Sequence, residues 1–144
     1  MNGKTILVVD DESHILHVVS LKLQNAGFTV FTAGDADEAY DLACSNPIDM
    51  VITDYQMPGP TGLDLARKLH KEPGKRDLPI ILLTAHGLGI DQIDIAQAGV
   101  ACCLSKPFSP REVLTKVNSL IEEAQNRTTG DGSTGVSPVV AVAK

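Results

Sequence analysis

Five short apolar runs, each followed by a stretch with helical period, constrain this chain more than any other feature. The runs are TILVV (5–9), FTVFT (28–32), MVIT (50–53), PIILLT (79–84) and ACCLS (101–105). They are largely apolar at successive positions, not only at alternate ones, and rich in β-branched residues. A strand wetted on one face alternates apolar with polar; a strand apolar on both faces has to be covered on both. Strands that alternate with helices, one helix per connection, meet that need in a parallel sheet with right-handed crossovers. The pattern is therefore an α/β fold, (βα)5, with one doubly wound five-stranded parallel sheet.

The intervening segments carry helix ends. Asp35 and Glu38 have the spacing of a capping box before Ala39, Leu42 and Ala43, and Asn46-Pro47 stops that helix. Ser109 caps the last helix, Pro110 suits its first turn, and Glu112 completes the box. Val113, Val117, Leu120, Ile121 and Ala124 then form its apolar stripe. Gly27 and Gly99 stand where a helix ends before a strand. Beyond Gln125 the composition turns to Gly, Ser and Thr, so the folded domain is expected to span 1–125 and 126–144 to form a flexible tail. The VVAVA within that tail offers little apolar area, and no internal repeat is present.

A chain of 144 residues suits one domain with a proper core. Its 18 acids against 12 bases give a net charge of -6, which disfavours nucleic acid as the primary partner. No apolar run has the length of a membrane span, and MNGKTILVVDDE is not a signal peptide, so a cytoplasmic protein is expected. Cys44, Cys102 and Cys103 lack metal spacing and read as free, buried small residues. Arg67, Lys68, Lys71, Lys75 and Arg76 read as the solvated, basic end of a helix.

The chemistry lies at the strand ends. The first run ends in Asp10 and Asp11, the third in Asp54, the fourth in Thr84 and the fifth in Lys106. In open α/β sheets ligands bind outside the carboxyl ends of the strands. Asp and Thr commonly end strands singly; four distant segments delivering such groups to one edge is a site. Three carboxylates together repel and call for a cation, and hard oxygen ligands suit Mg²⁺ or Mn²⁺. A divalent cation with the Lys106 ammonium makes the site ready for a phosphoryl group, which the Thr84 hydroxyl can also meet. Asp54 is then a nucleophile that forms an aspartyl phosphate.

VVDDE, DMVITDYQMPGPTG, LLTA and LSKPF, in that order, resemble the receiver domain of two-component response regulators, the CheY-like fold. The resemblance runs from about Lys4 to Glu123. It implies a flavodoxin-like sheet of order 2-1-3-4-5. It further implies that Asp54 accepts a phosphoryl group from the phosphohistidine of a sensor histidine kinase or a histidine phosphotransfer protein. Asp11 and Asp54 would bind Mg²⁺ directly with the main-chain carbonyl of Gln56, and Asp10 largely through water. Thr84 and Lys106 would each hold a phosphoryl oxygen, the Lys106-Pro107 bond would be cis, and Met57, Pro58, Gly59 and Gly62 would shape the loop after the acceptor. Such a protein assists its own phosphorylation and dephosphorylation but is classed as a signalling protein, not an enzyme.

Gln56 and His86, two residues beyond the acceptor and the threonine, border the path of attacking water in this family; a solvent-facing loop histidine is the alternative for His86. Cys103 stands where relatives carry a tyrosine or phenylalanine switch, so the signal is expected to leave through the loop around His86 to Ile90, or to couple weakly. His14 and His17, one turn apart, lack a third metal ligand. The residues after the last helix are too few for a DNA-binding unit, so a stand-alone receiver acting on a downstream protein target is expected, without direct DNA or membrane binding. The alternative is a receiver-fold scaffold that works without phosphate; such proteins usually lose an acidic or lysine position, and this chain has every one. A metal-dependent phosphatase with a DxD motif fails because Tyr55 and Gln56 follow Asp54.

Overall fold

The computed structural model describes residues 3–85 and 89–132, with side chains described as far as Ala124. Strands and helices alternate throughout: β1 (Thr5–Val9), α1 (Ser13–Asn25), β2 (Thr29–Ala33), α2 (Ala36–Ser45), β3 (Met50–Asp54), α3 (Gly62–His70), β4 (Ile80–Ala85), α4 (Gln92–Gln97), β5 (Cys102–Lys106) and α5 (Pro110–Gly132). The strands form one parallel sheet of order β2-β1-β3-β4-β5. The doubly wound α/β architecture and the strand order follow the sequence expectation, with β2 to β5 beginning no more than one residue from the expected runs.

Period-two alternation divides the core. Ile6, Val8, Met50, Ile52, Ile81 and Leu83 face Val19 and Leu23 of α1 and Val113 and Val117 of α5. Leu7, Val9, Val51, Ile80 and Leu82 face the other way, toward Ala39 and Ala43 of α2, Leu63, Ala66 and Leu69 of α3, and Ile95 of α4. Successive residues thus feed opposite layers, which is why the strands read as unbroken apolar runs.

The helix ends obey local chemistry. Asp35 caps α2 by accepting from the Glu38 amide, while the Glu38 carboxylate accepts from Gly34 and not from Asp35. Ser109 and Glu112 form the full reciprocal box at α5. Gly27 and Gly99 both have positive φ, and at Gly99 a Cβ would also lie 2.6 Å from His70 Nδ1.

Two expectations change. Cys103 and Cys44 are exposed and Cys102 is half-buried, so none is a buried core residue. The cause at β5 is its place at the sheet edge: only one side of the strand is packed, and Ala101, Cys103 and Ser105 on the other are exposed. Helix α5 also continues to Gly132, beyond the expected domain end at 125; the rest of the expected tail, 133–144, lies outside the described residues. Among the described residues no helix is long and apolar enough to cross a membrane.

Candidate functional site

The site is a product of strand register. The β1–β3 ladder ends with Val9 opposite Thr53, so the next residues, Asp10 and Asp54, emerge side by side at the carboxyl edge. Lys106 ends β5 opposite Ala85, with β4 between it and β3. Its side chain spans that gap: Nζ lies 3.3 Å from Asp54 Oδ2, 3.4 Å from Asp10 Oδ2 and 3.9 Å from Glu12 Oε1. The Asp10 side chain is fully buried and that of Asp54 nearly so; Lys106 keeps about a quarter of its side chain in solvent, at 23%. The other Asp10 oxygen accepts from the Glu12 amide at 2.9 Å.

Asp11 is exposed, yet Asp10, Asp11 and Asp54 each offer an oxygen within 4.8 Å of the other two. Burial, and then the Asp10 charge, push the Asp54 carboxyl up to about 6; Lys106 opposes them without cancelling them, and Asp11 adds a smaller push upward. Burial also raises Asp10 against the pull of the Glu12 amide and Lys106. Burial alone would lower Lys106, but Asp10 and Asp54 outweigh it and hold its ammonium more firmly protonated than usual. The cluster is short of positive charge, and its donors are all hard carboxylate oxygens. A divalent cation of the Mg²⁺ class fits both facts.

The structure brings Asp10, Asp11, Asp54 and Lys106 together. Thr84 is half-exposed at the same edge, one residue past Leu83, the register partner of Asp54, and its hydroxyl has no hydrogen-bond partner among the described residues. Gln56 is exposed in the loop after β3. Cys103 is on β5, three residues before Lys106, and exposed. His86 lies outside the described residues. The two remaining candidates, His14 and His17, are exposed on α1. The Lys106-Pro107 bond is cis, as the resemblance implied.

The loop after Asp54 is pinned at several points. Met57 is buried in the core beneath α3, and Gly59 takes a positive φ of 83. Thr61 and Asp64 form a reciprocal capping box at α3. Sequence reasoning missed that box, because Asp stands where Glu or Gln is usual. It also missed Glu12 as a third neighbour of Lys106; the signal was available as the third acid in a row after β1.

Comparison with known proteins places this geometry in context. The response regulator receiver domain family matches residues 6–118. The chain is 35% identical over 132 residues to the phosphate regulon transcriptional regulatory protein PhoB of Pseudomonas aeruginosa, covering 92% of this chain and 56% of the relative. It is 34% identical over 123 residues to the transcriptional regulatory protein SrrA of Staphylococcus aureus, covering 85% and 50%. The chain thus spans about half the length of the curated relatives it matches. Among solved structures, the chemotaxis response regulator CheY4 of Vibrio cholerae superposes with a TM-score of 0.77 at 30% identity, covering 83% of this chain and 99% of that one. The response regulator TrrA of Thermotoga maritima, solved in complex with Mg²⁺ and BeF, gives 0.72 at 36% identity, covering 81% and 98%.

Proposed function

We propose, for a chain that belongs to the response regulator receiver domain family, that Asp54 is the residue that accepts the phosphoryl group. A receiver of two-component signalling takes a phosphoryl group from a histidine kinase and passes the change on through protein contacts. The observation that carries Asp54 is the pairing of this nearly buried carboxylate with Lys106 at 3.3 Å, inside a cluster of acids that lacks charge balance.

In the transfer, an Asp54 oxygen attacks phosphorus as the phosphorus–nitrogen bond of a phosphohistidine breaks. The departing imidazole keeps the electron pair and takes up a proton from solvent. Asp10, Asp11, Asp54 and the Gln56 carbonyl would hold Mg²⁺ or Mn²⁺, which supplies positive charge against the phosphoryl oxygens. Lys106 gives its ammonium to one phosphoryl oxygen, so the charge that pairs with the Asp54 carboxylate beforehand serves the product afterwards. The Thr84 hydroxyl, without a hydrogen-bond partner among the described residues, donates to another. The Thermotoga maritima relative solved with Mg²⁺ and BeF supports this assignment. Gln56 and His86 modulate attack by water, and Cys103 replaces an aromatic switch with a small thiol.

The donor in this reading is a sensor histidine kinase or a histidine phosphotransfer protein, the setting the cytoplasm, the output a protein target, and the chain a signalling protein, not an enzyme. Incubation of the full chain with acetyl phosphate and Mg²⁺ tests it by intact mass. One phosphoryl group should appear, and should disappear with EDTA or in Asp54→Ala; equal labelling of Asp54→Ala removes the assignment.

A further inference from the structure

Thr53 is a polar residue where an apolar one would pack as well. It is fully buried, on the sheet face opposite the Asp54 side chain, with Val9 and Leu82 as its register neighbours. Valine has almost the same shape and no hydroxyl to strip of water, so core packing alone would favour it here. The hydroxyl donates at 3.0 Å to the carbonyl oxygen of Asp54.

That carbonyl is a crowded point. The β1–β3 ladder stops at Val9 and Thr53, one residue short of it. Helix α3 begins directly against it: a Cβ on Gly62 would lie 2.4 Å from the Asp54 oxygen and 2.9 Å from Leu82 Cδ1. The same peptide is tied on its other side, where the Tyr55 amide donates to the Leu83 carbonyl at 2.8 Å, and the next peptide is held as well, its Tyr55 carbonyl accepting from the Gly62 amide at 2.9 Å. The carbonyl carbon and the Cβ that carries the carboxylate share the Asp54 Cα, so the Thr53 hydroxyl, by holding that carbonyl where the β1–β3 ladder has ended, restrains the backbone frame from which the carboxylate reaches Lys106.

We propose that Thr53 is a positioning residue, whose hydroxyl clamps the Asp54 carbonyl and thereby aims the Asp54 carboxylate for phosphoryl transfer. The proposal rests on Asp54 as the acceptor. It requires no contact between Thr53 and the phosphoryl group, and it accounts for a buried hydroxyl that stability does not need.

Thr53→Val and Thr53→Ser in the full chain separate aim from packing. Three quantities are compared: the melting temperature without metal, the exchange rate of the Tyr55 and Gly62 amides, and the phosphorylation rate at saturating acetyl phosphate and Mg²⁺. Thr53→Val should melt no lower than wild type, exchange those two amides faster, and be phosphorylated about tenfold more slowly, within the range by which small misplacements slow reactions. Thr53→Ser should restore the rate to within about twofold of wild type, because it restores the hydroxyl. A Thr53→Val protein phosphorylated at the wild-type rate overturns the proposal, as does a slowing that only tracks a lower melting temperature. If wild type itself gains no phosphoryl group, the acceptor assignment fails and the clamp's function with it. Slow labelling confined to Thr53→Val cannot arise that way.

Discussion

At the scale of the residue, Asp54 is set by its neighbours. A carboxyl raised to about 6 holds its proton in a range where a free aspartate, at 3.8, has lost it. The metal-free folded state then binds more protons than the unfolded chain between about pH 4 and 6, so its stability should fall as pH rises through that window. A bound cation needs the carboxylate and reverses the preference. Mg²⁺ affinity should accordingly drop as pH is lowered from 7 toward 5, and thermal melts with and without Mg²⁺ across that range check both signs; a metal effect independent of pH contradicts them. Lys106→Ala tests the partner. It should still bind Mg²⁺ through the acids yet lose most of the amide-exchange response to beryllofluoride, because the ammonium that meets the phosphoryl mimic is gone.

At the scale of the element, legibility followed how local the cause was. The strands could be read because burial on both faces leaves a composition that no other element shares. The α5 box could be read because Ser109 and Glu112 supply both of its bonds within three residues. The α3 box could not, because Thr61 and Asp64 use the shorter acid. Exposure of Cys103 was hidden for a different reason: it depends on β5 lying at the sheet edge, a property of strand order and not of the run ACCLS. The acids of the site and Lys106 were legible as strand ends, while the Thr53 hydroxyl bond to Asp54 and the approach of Gly62 to the same carbonyl emerge only in three dimensions. Removing the α3 cap with Thr61→Ala should cost about 0.5–2 kcal/mol in chemical denaturation. Gly62→Ala should do more, lowering both stability and phosphorylation rate, because its Cβ meets backbone that cannot yield without moving Asp54.

At the scale of the whole molecule, one sheet with two apolar faces supports one edge where charge is concentrated. Leu82, fully buried on the α2–α4 side, carries that support, and Leu82→Ala should lose about 2–5 kcal/mol of unfolding free energy. A net charge of -6 opposes contact with a phosphate backbone, so this chain should show no salt-sensitive, sequence-specific binding to DNA at nanomolar concentration; tight binding in a titration would overturn the reading of its output as protein contact. The central claim concerns which oxygen takes the phosphoryl group, and chemical trapping reads that directly. Borohydride reduces an aspartyl phosphate to homoserine, so wild type treated with acetyl phosphate and Mg²⁺, reduced and digested should carry homoserine at position 54, in the peptide containing DMVITDYQMPG. Homoserine at position 10 or 11, or none in a protein that has gained phosphate, would contradict it.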